Sequence, residues 1–228
     1  MEVNDRLRKG TMTNKKRASL QKLEKMEELT FKNALRLHFD SIMMYKNHSY
    51  PTAYFLSILA LEELGKASLL DDFIWHSRIE GRTDISEQEK WLETMYLHKP
   101  KQRLFSKQFW SLMTSARKVL RDIDSGKIEI DKQNAVYVSL PKKSRKIELK
   151  GRISTPFNVT SKKAKEQITV VSDYLATFTL GVMKGVHGAD NPRIERLLNS
   201  RLLSKLRKQW HWHSHEAELL LSTLKATT

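Results

Sequence analysis

Cysteine is absent from this sequence of 228 residues, so the chain has no disulfide framework, no thiolate nucleophile and no cysteine-based zinc site. Glycine and proline are scarce, at 8 and 5 residues, which favours long helices over turns. No run of about 18 uncharged apolar residues occurs, and no apolar stretch follows the charges of MEVNDRLRKG. We therefore expect a cytoplasmic protein without a membrane span or a signal peptide.

Positive charge dominates the composition, with 41 Lys and Arg against 26 Asp and Glu and a formal net charge of +15. The excess is concentrated between residues 142 and 165, where nine basic residues accompany a single acid, Glu148. A basic surface attracts polyanions, because each phosphate contact releases counterions. This segment is either a solvated basic loop or a contact surface for RNA, DNA or an acidic protein.

Apolar residues recur at spacings of three and four along most of the chain, which predicts an all-α fold. We expect about five long helices, the second of them central, and the third with a kink or restart at Pro100. The predicted helices span about residues 13–47, 51–76, 86–122, 160–182 and 190–228.

The apolar period changes to two between residues 125 and 158, where NAVYVSL and RKIELKGRI flank the turn-like PKKS. This pattern predicts a small β-hairpin between about Gln133 and Ile153. The chain is thus interpreted as a single helical domain over residues 1–228, with a basic hairpin or loop insertion at 125–158 and a C-terminal helix at 190–228.

Two carboxylates and a lysine interrupt the apolar stretch SILALEELGKASLL. On a helix, Lys66 lies three residues from Glu63 and four from Glu62, so it can neutralise only one of them. A glycine inside a helix lowers the stability of the helix by about 1 kcal/mol relative to alanine. The presence of Gly65 is best explained if another segment of the chain approaches the helix closely at this position. The stretch is either a solvated stripe beside a packing glycine or a polar site.

A second polar group, LHKPKQ, gathers an imidazole and two ammonium groups around a proline. His98 could exchange a proton near neutral pH while Lys99 or Lys101 binds phosphate, an arrangement that suits RNA cleavage. Ordinary surface is the alternative.

The C-terminal RKQWHWHSHEAE holds a third group. Arg207 and His213 have a spacing used by some RNases, although a continuous helix would turn them about 120° apart. On such a helix His211 and His215 could bind a metal with Glu218, but a metal site needs a buried shell for which the sequence gives little support, and aromatic and histidine packing explains the segment better.

YPTAYFLSILALEELGKA, followed by HKPKQ, NAVYVSL and TSKKAKEQI, resembles the AbiV family of abortive infection proteins, which belongs to the HEPN superfamily of helical nucleotide-binding domains. The resemblance covers about Phe31 to Phe178 and is most specific at ALEELGKA. It implies a HEPN-like helical bundle and a bacterial antiphage effector that arrests growth or translation of the infected cell.

Many HEPN relatives are metal-independent RNases with an Arg, four to six residues, His motif, and two protomers bring their motifs together across a dimer cleft. Here Glu93 stands five residues before His98, whereas Arg207 and His213 match the spacing. The resemblance implies no cofactor and no metal. It implies the catalytic set Glu62, Glu63, Lys66, His98 and Lys101, with Arg207 and His213 as the alternative pair.

In this interpretation a carboxylate of the EELGK segment orients the imidazole of His98, His98 transfers a proton, and Lys101 binds a phosphate group of the RNA. The same residues could instead form a buried polar network, with function delivered through protein binding. Further contacts to RNA are expected from Lys99, Lys142, Lys143, Arg145 and Lys146.

The expected partners are a second copy of the chain, RNA and a phage-encoded activator protein. The homodimer follows from the family resemblance and from Trp91, Trp110 and Trp210, which look exposed in the sequence and could anchor an interface. The alternative function is a non-enzymatic inhibitor that is triggered by, or sequesters, a phage protein.

Overall fold

The computed structural model describes residues 18–79, 85–110, 117–143, 146–188 and 191–226. Its N-terminal part is a pair of long helices, α1 (Leu20–Lys46) and α2 (Tyr50–Ile79), which pack along each other. The hydroxyl of Ser19 caps α1 by accepting from the Lys22 N–H at 3.2 Å. His48 has a positive φ of 59° in the short connection, which turns the chain back on itself.

Shorter helices follow before the next long one. They are α3 (Ile85–Thr94), α4 (His98–Trp110), α5 (Arg117–Asp124) and α6 (Lys127–Asn134). Two short strands, β1 (Lys142–Lys143) and β2 (Lys146–Ile147), pair antiparallel, and a 3₁₀ turn spans Pro156–Asn158. The chain continues through α7 (Ser161–Met183), α8 (Pro192–Glu195), α9 (Ser200–Gln209) and α10 (His215–Ala226).

Helix α2 is the central element, as predicted, because it packs against α1, α4, α6 and α7. Apolar residues cover most of its circumference, and Ile58, Leu61 and Leu70 have no solvent exposure. The all-α class is confirmed by this bundle, and the polar residues of α2 are thereby placed deep inside it.

Two of the predicted elements are wrong in their extent. The third predicted helix, 86–122, is divided into α3, α4 and α5, and residues 111–116 lie outside the described residues. Within the predicted insertion, residues 127–134 form α6 although KIEID alternates like a strand, because Ile128 and Lys132 lie on its buried side. The strands β1 and β2 are only two residues long, and a backbone bridge between Ser139 and Ser154 lengthens the paired segment. This segment between α6 and α7, with described residues 136–143 and 146–157, forms a two-stranded ribbon.

The predicted C-terminal helix over 190–228 is also wrong. Asn191 caps α8 and Asn199 caps α9, so the chain restarts between them. Trp210 then adopts an extended backbone (φ −133°, ψ 106°) that ends α9. Residues 210–214 form a connection that leads into α10.

Trp210 is buried in the bundle rather than exposed. Its ring lies 5.3 Å from that of Tyr45, and its indole N–H donates to Thr169 Oγ1 at 3.1 Å. Trp91 is half-buried with its ring 5.7 Å from that of Phe73, and the Trp110 side chain lies outside the described part of the structure. Trp210 therefore cannot anchor a dimer.

In the described part of the chain, none of the helices combines the length and the low polarity needed to span a lipid bilayer.

Candidate functional site

Gly65 lets two helices approach closely beside the predicted site. Helix α4 crosses α2 at this glycine, and a Cβ at position 65 would overlap with the backbone carbonyl of Lys101. The close approach predicted from the sequence is therefore present. It brings the first turn of α4, which carries His98, against the turn of α2 that carries Glu62.

Glu62 is the centre of a buried polar cluster. Its side chain is 3% exposed, and two helices, α4 and α6, supply its hydrogen-bond donors. His98 Nδ1 lies 2.8 Å from Oε2, while Gln102 Nε2 and Lys132 Nζ lie 2.7 and 2.8 Å from Oε1. Lys101 Nζ is 4.0 Å from Oε2. The carboxylate thus has a partner on each oxygen, as a buried charge requires.

Glu129 completes the cluster from α6. Lys132 Nζ lies 2.7 Å from Glu129 Oε2, three residues away on the same helix, so its ammonium joins two carboxylates. Gln102 Nε2 also lies 3.3 Å from Glu129 Oε2. Helix α6 begins after Gly126, whose φ of +75° is a left-handed conformation that glycine adopts without strain.

The tautomer of His98 follows from its neighbours. Glu62 Oε2 accepts, so Nδ1 carries the hydrogen, and Nε2 is left with a lone pair. Lys132 Nζ lies 3.3 Å from the same Nδ1, but an ammonium cannot donate to a nitrogen that is itself donating. The His98 side chain is 52% exposed, so the imidazole is fixed at one nitrogen and open to solvent around the rest of the ring.

The pKa of Glu62 lies below its ordinary value. Burial raises this pKa, but the hydrogen bond and the charge of Lys132, together with hydrogen bonds from His98 and Gln102, more than offset the burial. Glu62 is therefore ionised near neutral pH and acts as a fixed negative charge beneath His98. It cannot serve as a proton donor there.

Glu63 and Lys66 lie outside this cluster. They line a shallow groove between α1 and α2 together with Met26 and Leu29. Adjacent residues on a helix are turned about 100° apart, so Glu62 and Glu63 cannot both face α4. The structure thus brings Glu62, His98 and Lys101 together, and it places Glu63 and Lys66 elsewhere.

The two lysines of HKPKQ have different surroundings. The Lys101 side chain is 10% exposed and points toward Glu62, so it contributes charge from behind the site. Lys99 is exposed on the first turn of α4, with its Cε near Gly126. Of these two, Lys99 is the one that a phosphate in solution can reach.

Sequence reasoning missed Gln102, Glu129 and Lys132 as members of the site. Gln102 stands four residues after His98, which would have placed it on the same helical face. Lys132 is separated from Glu62 by 70 residues and falls within the predicted insertion at 125–158, where no helix is expected from the sequence. The Glu129–Lys132 pair becomes visible only once α6 is known to be a helix.

Glu62, His98 and Glu129 have ligand atoms within 4.8 Å of one another, a spacing that could hold a metal ion. Lys132, however, already places an ammonium against both carboxylates. A divalent cation would have to share the carboxylates with that positive charge, which disfavours its binding. The donor set therefore fits an ammonium better than a metal.

A family model described as AbiV, within HEPN, matches residues 22–176, about two thirds of the chain. The chain belongs to the AbiV family. No curated protein and no solved structure matches it. The region shared with AbiV includes the Glu62 cluster and leaves out Arg207 and His213.

The two residues of the alternative catalytic pair, Arg207 and His213, do not lie on the same helix. Arg207 lies in the last turn of α9, and His213 lies in the connection before α10. His213 Nδ1 instead lies 2.8 Å from Asp173 Oδ1, and both side chains are 2% exposed. This pair borders a surface cavity of about 670 Å³ that Trp212 and Lys165 also line. His211 precedes α10, so the predicted helical pair with His215 is not formed.

The basic residues predicted to bind RNA lie mostly on the ribbon. Lys146 is exposed on β2, and Lys142 and Lys143 form β1, although their side chains lie outside the described part of the structure. Arg145 falls outside the described residues altogether. Their contact with RNA stays a prediction.

Proposed function

We propose that this AbiV-family protein is an abortive-infection effector that arrests the infected bacterial cell by acting on RNA at the Glu62 cluster. The observation that carries the proposal is the half-exposed His98, held at Nδ1 by the buried, ionised Glu62 at 2.8 Å. A carboxylate behind a histidine fixes its tautomer and stabilises the positive ring that forms on proton uptake.

His98 is the proposed catalytic base, with Nε2 as the proton acceptor. The 2′-hydroxyl of RNA gives its proton to Nε2 while its oxygen forms a bond to the adjacent phosphorus. The bond from phosphorus to the 5′ oxygen then breaks, and that oxygen takes a proton from water. The products are a cyclic 2′,3′-phosphate and a 5′-hydroxyl.

Positive charge near His98 supports binding of the phosphate. Lys99 is exposed one residue further along α4, and Lys101 lies behind the imidazole. The site stands at the N-terminus of a 13-residue helix, whose dipole favours an anion. These charges would stabilise the extra negative charge on the phosphorus-bound oxygens in the transition state.

The reaction needs no metal ion in this mechanism. The ammonium groups of Lys132 and Lys101 together offset the two carboxylates of Glu62 and Glu129, and no step requires a Lewis acid. RNA cleavage should therefore persist in EDTA.

The active unit is proposed to be a homodimer, carried over from the family resemblance. Two half-exposed imidazoles facing a shared cleft could act on one RNA strand. Sedimentation of the purified protein at micromolar concentration tests this, and a monomer alone would contradict it.

The proposal is tested by incubating purified protein with total RNA and tRNA in EDTA, with and without phage lysate to supply an activator. Cleavage with cyclic phosphate ends is expected, and His98→Ala should abolish it. His215→Ala is the matched control, since His215 is an exposed histidine on α10. Phage protection without RNA cleavage would contradict the proposal and favour inhibition by protein binding.

A further inference from the structure

The ribbon between α6 and α7 exposes an unusual amount of apolar surface. Of the 18 large apolar side chains that are exposed among the described residues, seven lie between positions 136 and 157. Leu149 and Phe157 are 83% and 90% exposed. The seven are Val136, Tyr137, Val138, Ile147, Leu149, Ile153 and Phe157. A contiguous segment of this kind marks an interaction surface.

The register of the ribbon places two of these side chains on one face. Ser139 and Ser154 exchange two backbone hydrogen bonds, at 2.8 and 3.0 Å. Since side chains alternate along a strand, Val138 and Ile153 lie on the face opposite the two serines. The exposed apolar side chains of the ribbon thus include a pair on one face, with the other five close to it along the chain.

Basic residues alternate with this apolar surface. Residues 136–157 contain six Lys and Arg and one acid, Glu148. Lys146, Lys150 and Arg152 are exposed beside Ile147, Leu149 and Ile153. The surface therefore combines a positive rim with apolar side chains.

We infer that the described part of the ribbon, residues 136–143 and 146–157, is a docking surface for an acidic protein segment in which apolar residues alternate with carboxylates. Tyr137 and Phe157 could stack on nucleotide bases, but the other five of the seven are branched aliphatic side chains with no π face, and RNA would leave those five in water. A protein segment can bury them, and removing this apolar surface from water favours the complex. A second copy of the chain is disfavoured because it would bring two positive faces together.

The surface is connected to the Glu62 cluster through the chain. Lys132 and Glu129 lie on α6, and Val136 follows two residues after that helix ends. A partner on the ribbon would hold the segment that supplies the ammonium to Glu62. The inference stands whether or not the protein cleaves RNA, because it rests on the ribbon alone.

Fluorescence anisotropy of the purified full chain with a labelled peptide of alternating glutamate and leucine tests the inference. The peptide should bind the wild type, and the triple variant Leu149→Ser, Ile153→Ser, Phe157→Ser should bind at least about tenfold more weakly. The pair Lys150→Glu, Arg152→Glu should weaken binding to a similar degree. Ile79→Ser, an equally exposed apolar residue at the end of α2, is the matched control and should bind as the wild type does.

Several results would overturn the inference. One is failure of the glutamate–leucine peptide to bind the wild type, and another is binding of this peptide by the triple variant as tightly as by the wild type. A third is binding to the wild type, as tight as that of the original peptide, by a peptide in which serine replaces leucine. Tighter binding of labelled oligouridylate, lost in the triple variant, would make the ribbon an RNA surface instead. A wild-type dimer that becomes a monomer in the triple variant would make it a contact between copies.

Discussion

Two histidine–carboxylate pairs in this protein have the same Nδ1–oxygen distance, 2.8 Å, in different surroundings. In the first, Glu62 is buried while the His98 side chain is 52% exposed. In the second, the side chains of His213 and Asp173 are both 2% exposed. The contact itself is therefore no guide to function, and the access of solvent and substrate to the imidazole separates the two.

The buried pair holds the fold together. Asp173 lies on α7 and also accepts from the Ser214 N–H at 3.1 Å, so it fixes the connection between α9 and α10. The half-exposed pair leaves Nε2 of His98 available to a large substrate. Substitutions in the buried pair, His213 and Asp173, should change stability, and substitutions of His98 should change activity.

The largest effect is expected at the buried pair. His213→Ala leaves the Asp173 carboxylate buried without its imidazole, and the free energy of unfolding should fall by about 3–5 kcal/mol. Urea unfolding measures this, with the exposed His211→Ala as the control. A change below about 1 kcal/mol would show that the buried contact is not structural.

The next largest effect is expected for Glu62→Gln, at about 2–3 kcal/mol, because it removes one of the two carboxylates that contact the buried Lys132 ammonium and leaves Glu129 as the other. Glu63→Gln is a matched control one residue away, outside the cluster, and should stay within about 0.5 kcal/mol of the wild type. Thermal unfolding and phage plating of both variants distinguish the two carboxylates. Equal behaviour would contradict the central place of Glu62.

Gly65→Ala should cost about 1–3 kcal/mol through overpacking, although alanine favours helix formation elsewhere. The added methyl group must push Lys101 and the start of α4 away, so protection should fall as well. Gly188→Ala, which has open space around the added carbon, is the control. Unchanged stability in Gly65→Ala would mean that α2 and α4 do not cross as described.

A third histidine makes the region around His213 sensitive to pH. Burial, and to a smaller extent the charge of His213, lowers the pKa of His38 from 6.5 to about 3. Between pH 6.5 and about pH 3 the unfolded chain binds a proton at His38 that the folded chain does not bind. The free energy of unfolding therefore decreases as the pH is lowered through this range. Between pH 7 and pH 5 the loss should be about 2 kcal/mol.

His38→Leu should remove most of the loss seen in the wild type. Urea unfolding at the two pH values measures both slopes. An equal slope in His38→Leu and the wild type would show that His38 is protonated in the folded protein.

The sequence predicted the helical class, the central α2, the close approach at Gly65 and the meeting of Glu62 with His98. These features depend on local periodicity and on the family resemblance. Sequence reasoning did not predict which of the two carboxylates, Glu62 or Glu63, faces α4, because that depends on how α4 crosses α2. It also missed Lys132, because KIEID alternates like a strand and only burial against α2 shows it to be a helix.

The most direct test of the central claim is phage plating on cells that produce His98→Ala, with the unfolding curve of the same protein. Because the ring is half exposed and Glu62 keeps Gln102 and Lys132 as partners, its loss should change the free energy of unfolding by less than about 1 kcal/mol. The account predicts that protection is lost while the fold is kept, and that His215→Ala retains both. Full protection by His98→Ala would contradict it.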